Sequence, residues 1–386
     1  MKKFLKIMML AVLSIACVVM ATACTQDDNG SSDKGLLCKT IGGVYTVYDY
    51  VDDGRKETTL DIGKEIGEGF TEVRIKKGAF SGNNTIKEII VPSVVKTIDE
   101  GAFAGMKALE KITLPFIGSS ALADGTFGDS VGDKDKSADN ARTFGYLFGA
   151  DEYDGGSLIT VTYNSGVTES RYMPTSLSKV VLNATEGYKV PMYAFSGCVN
   201  LTDIELKGGI SEIGEYAFSD CKNLNSISVP ATVTNVRKGA FSNCTSLNET
   251  VLDGATALVE IGESAFMNAK LENVILNANA VIGKKAFSGS TVKSVTLKGQ
   301  VNVGASAFAN CTKLAKVNLD NVSNGVISQF AFQGATALKQ FGGAQNTIDL
   351  TNFTVENLAF SDIFEDATKI AVVGVATEKV NDVFGW

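Results

Sequence analysis

No histidine occurs among the 386 residues. That absence removes the commonest general base, the commonest zinc ligand, and every Ser-His or Cys-His pair in which an imidazole activates a nucleophile. Basic residues are also scarce, 35 against 43 acidic, for a net charge of −8. Recognising a phosphate backbone takes clustered Lys and Arg, so no nucleic-acid partner is expected. Long apolar runs are missing too, with one exception at residues 4–23. With 45% hydrophobic and 20% charged residues, the chain still has the composition of a folded protein with a substantial core.

The exceptional run follows Lys2 and Lys3 and ends in Ala21-Thr22-Ala23-Cys24, before the polar stretch Thr25-Gln26-Asp27-Asp28-Asn29-Gly30. Charged start, apolar centre and small residues before a cysteine have the architecture of a lipoprotein signal peptide, with Cys24 as the acylated residue. Several acyl chains hold a protein firmly at a membrane, since each buried methylene contributes about 0.8 kcal/mol. Residues 1–23 are therefore expected to be removed, and residues 24–35 to form a flexible tether. The lipid is the expected membrane contact. Loss of residues 1–23 takes three lysines and no acid, leaving a net charge of −11.

The mature chain is organised by a repeat. An Ala-Phe pair, or a close variant, ends at Phe80, Phe103, Phe195, Phe218, Phe241, Phe266, Phe287, Phe308, Phe332 and Phe360. From Phe195 to Phe332 the spacings are 23, 23, 25, 21, 21 and 24 residues, and Phe127 and Phe148 fit as degenerate members. Around each pair the pattern is Ile-Gly-x-x-Ala-Phe-x-x-Cys-x-x-Leu-x-x-Ile-x-Leu, as in Ile213-Gly214-Glu215-Tyr216-Ala217-Phe218 continuing through Cys221, Leu224, Ile227 and Val229. Its last part alternates with period two and predicts one short strand per repeat, at 86–91, 109–114, 177–182, 201–206, 271–276, 292–297 and 314–319. A single coil cannot bury its apolar side, so the coils stack with strands parallel.

The Ala-Phe-x-x-Cys-x-x-Leu unit resembles the BspA-type leucine-rich repeat of bacterial surface proteins, over about residues 60–365. The expected fold is a leucine-rich-repeat solenoid, mainly β with short helical or irregular returns, of roughly 11–12 coils. Leu147-Phe148-Gly149 and Tyr172-Met173-Pro174 resemble the longer variant coil of such proteins, placed at 128–195. Residues 36–59 lack the repeat, and their alternation around Asp52-Asp53-Gly54 predicts a capping hairpin. Residues 366–386 are expected to cap the other end, with a strand at 368–375.

Catalytic motifs are weak. Residues 128–132 read Gly-Asp-Ser-Val-Gly, but a nucleophile elbow needs a strand-turn-helix setting and a histidine. Residues 133–139 lack the glycine and glutamate of a calcium loop. No enzyme activity, cofactor or metal is expected. Cys198, Cys221, Cys244 and Cys311 share one repeat position, three after the Phe, and read as a ladder of packed interior thiols.

Function is then expected on the surface, at outward strand positions: Glu88, Lys111, Thr113, Asp203, Glu205, Ser226, Ser228, Asn273, Thr296, Lys316 and Asn318. Ile90, Lys179, Val181, Glu249, Val251, Ile275 and Ser294 complete the same rows. They carry charges of both signs and no aromatics, which suits a protein partner better than a sugar. Aromatics gather near the variant coil instead, at Tyr146, Phe148, Tyr153, Tyr163 and Tyr172, either as a local binding patch or as core. The family resemblance implies adhesion: a surface-exposed, lipid-anchored outer-membrane protein engaging an extracellular or host protein or glycoprotein. The alternatives are a glycan-binding accessory lipoprotein of an uptake system and a structural envelope protein.

Overall fold

A computed structural model describes residues 35–120 except 53 and 55, residues 142–342 except 249, 250 and 277–279, and residues 347–349, 351, 353–355 and 371–373. The signal segment, Cys24, Phe127, residues 128–139 and Phe360 lie outside them. The fold is a parallel-strand solenoid of about ten turns with almost no helix. Among the described residues, α-helix is limited to Ile62–Ile66 and a 3-10 turn to Phe144–Phe148.

The chain forms two compact units. The first holds described residues 35–120, 142–158 and 170–180. Its strands Gly35–Ile41 and Val44–Val51 form an antiparallel hairpin, and the second of them pairs in parallel with Val73–Ile75, which pairs with Val95–Ile98. The hairpin turns at Gly42 and Gly43, whose φ values of +58° and +84° suit the tight turn that matches strand twist. This corrects the expected turn at Asp52-Asp53-Gly54, where the Asp52 carboxylate instead accepts from the Gly54 N–H at 2.9 Å beyond the strand end. A separate stack runs Thr59–Asp61, Glu88–Ile90, Lys111–Leu114, all parallel.

The second unit holds residues 159–169 and the described residues from 181 onward. Several of its turns contribute two strand positions, one more than the sequence pattern predicts. One row is the predicted strand, in which Asn273↔Ser294↔Lys316 and Thr296↔Asn318 are in register. The other contains the Ile of Ile-Gly: Ile213↔Val236↔Ile261↔Ile282↔Val303↔Ile327. In Ser294–Val303 and Lys316–Ile327 the two positions merge into one long strand.

In this unit the returns are hydrogen-bonded turns and not helices, the irregular of the two expected forms. In the coil of Phe195 the N–H groups of Tyr193, Phe195 and Gly197 donate to the next coil, at Glu215, Ala217 and Ser219, over 2.6–2.9 Å. Those of Ala194, Ser196 and Cys198 donate within the coil, to Pro191, Tyr193 and Phe195. Alternate donors pointing to the neighbouring coil leave no continuous i to i−4 ladder, so no helix can form. Residues two before and two after the Phe take left-handed φ, as at Ser264 and Asn268 with +56° and +57°.

The core is a ladder of phenylalanines. From Phe195 to Phe332 the rings stack at centroid distances of 5.0–5.4 Å and interplanar angles of 1–11°. Phe341 closes the ladder edge-on to Phe332 at 80°. Every rung is buried. The glycine of Ile-Gly is set by close approach: a Cβ on Gly283 would lie 2.6 Å from the Gly262 carbonyl carbon, and one on Gly304 2.6 Å from the Ile282 oxygen. Gly262, Gly283 and Gly304 thus form a column where successive backbones touch.

Candidate functional site

Glu88, Lys111, Thr113, Asp203, Glu205, Ser226, Ser228, Asn273, Thr296, Lys316 and Asn318 are all half-buried or exposed. In the first unit Glu88 and Lys111 are register partners joined by a 2.7 Å ion pair, and Thr113 sits opposite Ile90. In the second unit Asp203 bridges to Ser226, and Glu205 pairs with Lys207 at 2.7 Å. Ser294 donates to Asn273 at 2.7 Å, and Asn318 donates to Thr296 at 3.2 Å. Ser226, Ser228 and Lys316 are exposed. Much of this polar surface is therefore tied side chain to side chain along the stack, which fixes its geometry.

Two members of the expected row face inward. Val251 is fully buried and Val181 is 5% exposed. The coil after Phe241 is longer than its predecessor, and its Leu247-x-x-x-Val251-Leu252 order shifts the alternation, so Val251 takes an inward place. At Val181 the neighbours Val180 and Leu182 are buried as well, so both strand faces are covered there. Ile275 remains 48% exposed.

Of the aromatics near the variant coil, Phe148 belongs to the core, and burial raises the phenol pKa values of Tyr146 and Tyr153. Tyr163 lies edge-on to Tyr193 at 5.0 Å. That contact marks the site that sequence reasoning missed. A groove of about 510 Å³ runs between Thr160, Thr162 and Asn164 on one side and the Ala-Phe turns of three successive coils on the other. The residue after each Phe, Ser196, Ser219 and Ser242, forms its floor, ending at Met267. All three serines are over nine-tenths buried; Ser196 and Ser219 hydrogen-bond at 2.9 Å.

Local geometry explains why these residues occupy the groove. Tyr193 and Tyr216, both at left-handed positions, stack at 5.2 Å and 9°. The stack ends at Gly239, where a Cβ would lie 2.4 Å from the Tyr216 ring. Gly197 takes φ +72°, and a Cβ there would meet the Thr160 carbonyl oxygen at 2.9 Å, so glycine lets that backbone sit on the coil. On the far wall Asn243 donates to Asp220 at 3.2 Å and Asn268 to Asn243 at 3.0 Å. The available signal was the Gly, Asp or Asn recurring two residues after each Phe, together with serine directly after it.

The cysteine ladder is structural. Cys198, Cys221, Cys244 and Cys311 are free and buried. The thiols of Cys221, Cys244 and Cys311 donate at 3.0 Å to Phe195, Phe218 and Phe287 carbonyls of an adjacent coil. Burial pushes the Cys221 thiol up to about 12 and the Cys311 thiol up to about 11. A native-state thiol titration at pH 8 should find these four unreactive, with reaction only in denaturant. Reaction at the native rate of a small thiol would contradict the packing. The pH sign follows from the raised folded-state values: stability is full below the unfolded-state pKa of 9 and falls as pH climbs toward 11–12. The loss is roughly 1 kcal/mol per thiol for each pH unit in that window, read by urea unfolding at pH 8 and pH 10.

Among the described residues no cluster of three or more metal-ligating side chains occurs, and no helix is long and apolar enough to cross a membrane. Cys38 is buried.

A profile described as BspA type Leucine rich repeat region matches six copies, over residues 70–130, 166–281 and 259–371. Curated proteins yield no match. Among solved structures, a leucine-rich repeat protein from Bacteroides ovatus is similar at 18% identity and TM-score 0.38, covering 89% of this chain and 100% of its own. A leucine rich cell surface protein from Faecalibacterium prausnitzii is similar at 15% and 0.31, covering 93% and 98%. The pneumococcal vaccine antigen PcpA is similar at 15% and 0.30, covering 91% of each chain.

Proposed function

Because the chain belongs to the BspA-type leucine-rich repeat family, whose members are typically bacterial surface proteins, we propose that it is a lipid-tethered binding protein of the cell envelope that holds an extracellular protein or glycoprotein without turning it over. The observation that carries this reading is the strand row of the second unit. Asp203, Ser226, Asn273, Ser294, Thr296, Lys316 and Asn318 display both charges and several hydroxyl or amide groups on stacked, register-fixed strands. A rigid surface of this kind loses little conformational freedom on binding, which favours affinity. The histidine-free sequence supports a role without chemistry.

The tether is assigned to Cys24 on the signal-peptide pattern, at the outer membrane and facing outward. Intact mass of the cell-derived protein should show residues 1–23 removed and Cys24 acylated; an unprocessed N-terminus or a Cys24 thiol consumed in a disulfide with Cys38 would contradict it. For binding, the full-length protein in detergent is tested against immobilised extracellular-matrix proteins and mucins. Saturable binding that survives physiological salt, and that drops about tenfold in a Lys316→Glu/Asn318→Ala variant, is the expected result. Silence across a folded sample would point to a structural envelope role instead.

A further inference from the structure

The groove beside the Ala-Phe turns is built from different residues than the strand row and has chemistry of its own. We infer that it is a binding site for a short neutral oligosaccharide. Its volume of about 510 Å³ lies inside the roughly 300–1,000 Å³ range of small-ligand sites. Its polar lining is hydroxyl and amide: Ser196, Ser219 and Ser242 on the floor, with Thr160, Thr162 and Asn164 opposite. Hydroxyls donate and accept at once, so they match a ligand whose groups do the same. Val199 and Met267 add apolar surface for the C–H face of a sugar.

Two observations narrow the ligand class. The lining carries one ionised group of each sign, Asp220 and Lys222, so there is no net field for an anionic or cationic ligand. A peptide adding as a strand has no main-chain donors to use on the floor. The N–H groups of Tyr193, Phe195 and Gly197, and those of Tyr216, Phe218 and Asp220, are already bonded to the next coil. Ser242 points to a ligand directly. The residue is 6% exposed and lines the groove, and its hydroxyl, which makes no hydrogen bond among the described residues, opens to the groove and is free to donate to and accept from a ligand. The floor serines also repeat at the coil spacing, about one strand separation of 4.8 Å, close to the advance of an extended glycan per sugar residue. One face each of Tyr193 and Tyr216 is taken up by their mutual stack, so recognition rests mainly on hydrogen bonds and the affinity is modest.

The test is calorimetric titration of the full-length protein, in a detergent without a sugar head group, with lactose, cellotriose, maltotriose and N,N′-diacetylchitobiose. Saturable binding of at least one is expected. It should weaken about tenfold or more in Ser242→Ala/Asn164→Ala, which removes two hydrogen bonds of the site, and stay unchanged in Lys316→Glu/Asn318→Ala. Thermal unfolding of each variant separates lost binding from lost fold, and Asn164→Ala alone, at an exposed position, should still weaken binding if the double variant unfolds. No binding by a folded sample, binding indifferent to Ser242 and Asn164, or binding only of salt-sensitive charged glycans would each overturn the proposal. Because matrix-protein binding is read through the strand-row variant, either reading can fail without the other.

Discussion

Replacing Phe266 with alanine should destabilise the second unit by about 3–5 kcal/mol. The ring is fully buried and stacked on both faces, against Phe241 at 5.0 Å and Phe287 at 5.4 Å, with interplanar angles of 6° and 4°. Alanine would forfeit the transfer free energy, leave a cavity, and remove two stacked pairs worth about 0.5–1.5 kcal/mol each beyond their area. The neighbours cannot close in, because the cross-coil bonds Phe241 N–H to Ala265 O and Phe266 N–H to Ala286 O, each 2.7 Å, hold the coil spacing. A coil in a solenoid touches only its neighbours, so the damage sits mid-stack and weakens both sides of it. Urea denaturation followed by circular dichroism measures the loss, and Phe266→Leu should lose about half as much by keeping most of the volume. A loss below about 1 kcal/mol would mean that the ladder is not what holds the coils together.

Gly283→Val should cost about 3 kcal/mol for the opposite reason, overpacking. An added Cβ would lie 2.6 Å from the Gly262 carbonyl carbon, 2.7 Å from the Glu263 nitrogen and 2.9 Å from the Ile261 oxygen. All three are main-chain atoms and cannot rotate away. Relief would require coils to separate where Ile282 and Ile261 are register partners, stretching the Gly283 N–H to Ile261 O bond from 2.7 Å. The exposed Gly166, with nothing within 4 Å of a built Cβ, is a poor control because its φ of +78° penalises any side chain. Lys284→Ala, exposed and adjacent, is the better one and should change stability by less than about 0.5 kcal/mol. Differential scanning calorimetry of the two variants reads the contrast, and equal melting temperatures would refute the backbone-contact column.

The legible parts of this molecule are those written in side-chain periodicity. Every described Phe of the repeat is in the core, and Val274, Val295 and Val317 point inward between outward neighbours, as alternation requires. What periodicity cannot express was missed. The second strand position spans only two residues in several coils, as at Asn235–Val236 and Val281–Ile282, too few to show a period. Helical and irregular returns are not distinguished by the sequence, because donors alternating between coils leave no mark on composition. At Val251 a longer coil broke the alternation itself. Asp52-Asp53-Gly54 has the composition of a turn, yet the capping hairpin turns at Gly42-Gly43, between Ile41 and Val44. The groove was hidden for another reason. It joins Thr160 and Asn164 to serines tens of residues away, and a juxtaposition of that kind becomes visible only once Gly197 lets two backbones meet.

Hydrogen exchange read by mass spectrometry tests the binding role most directly, on the full-length protein with and without the extracellular protein it holds tightest. Protection concentrated on residues 203–206, 226–229, 294–297 and 316–319 is the predicted result. Exchange unchanged at saturating partner, or protection confined to residues outside the strand row, would contradict binding through that surface.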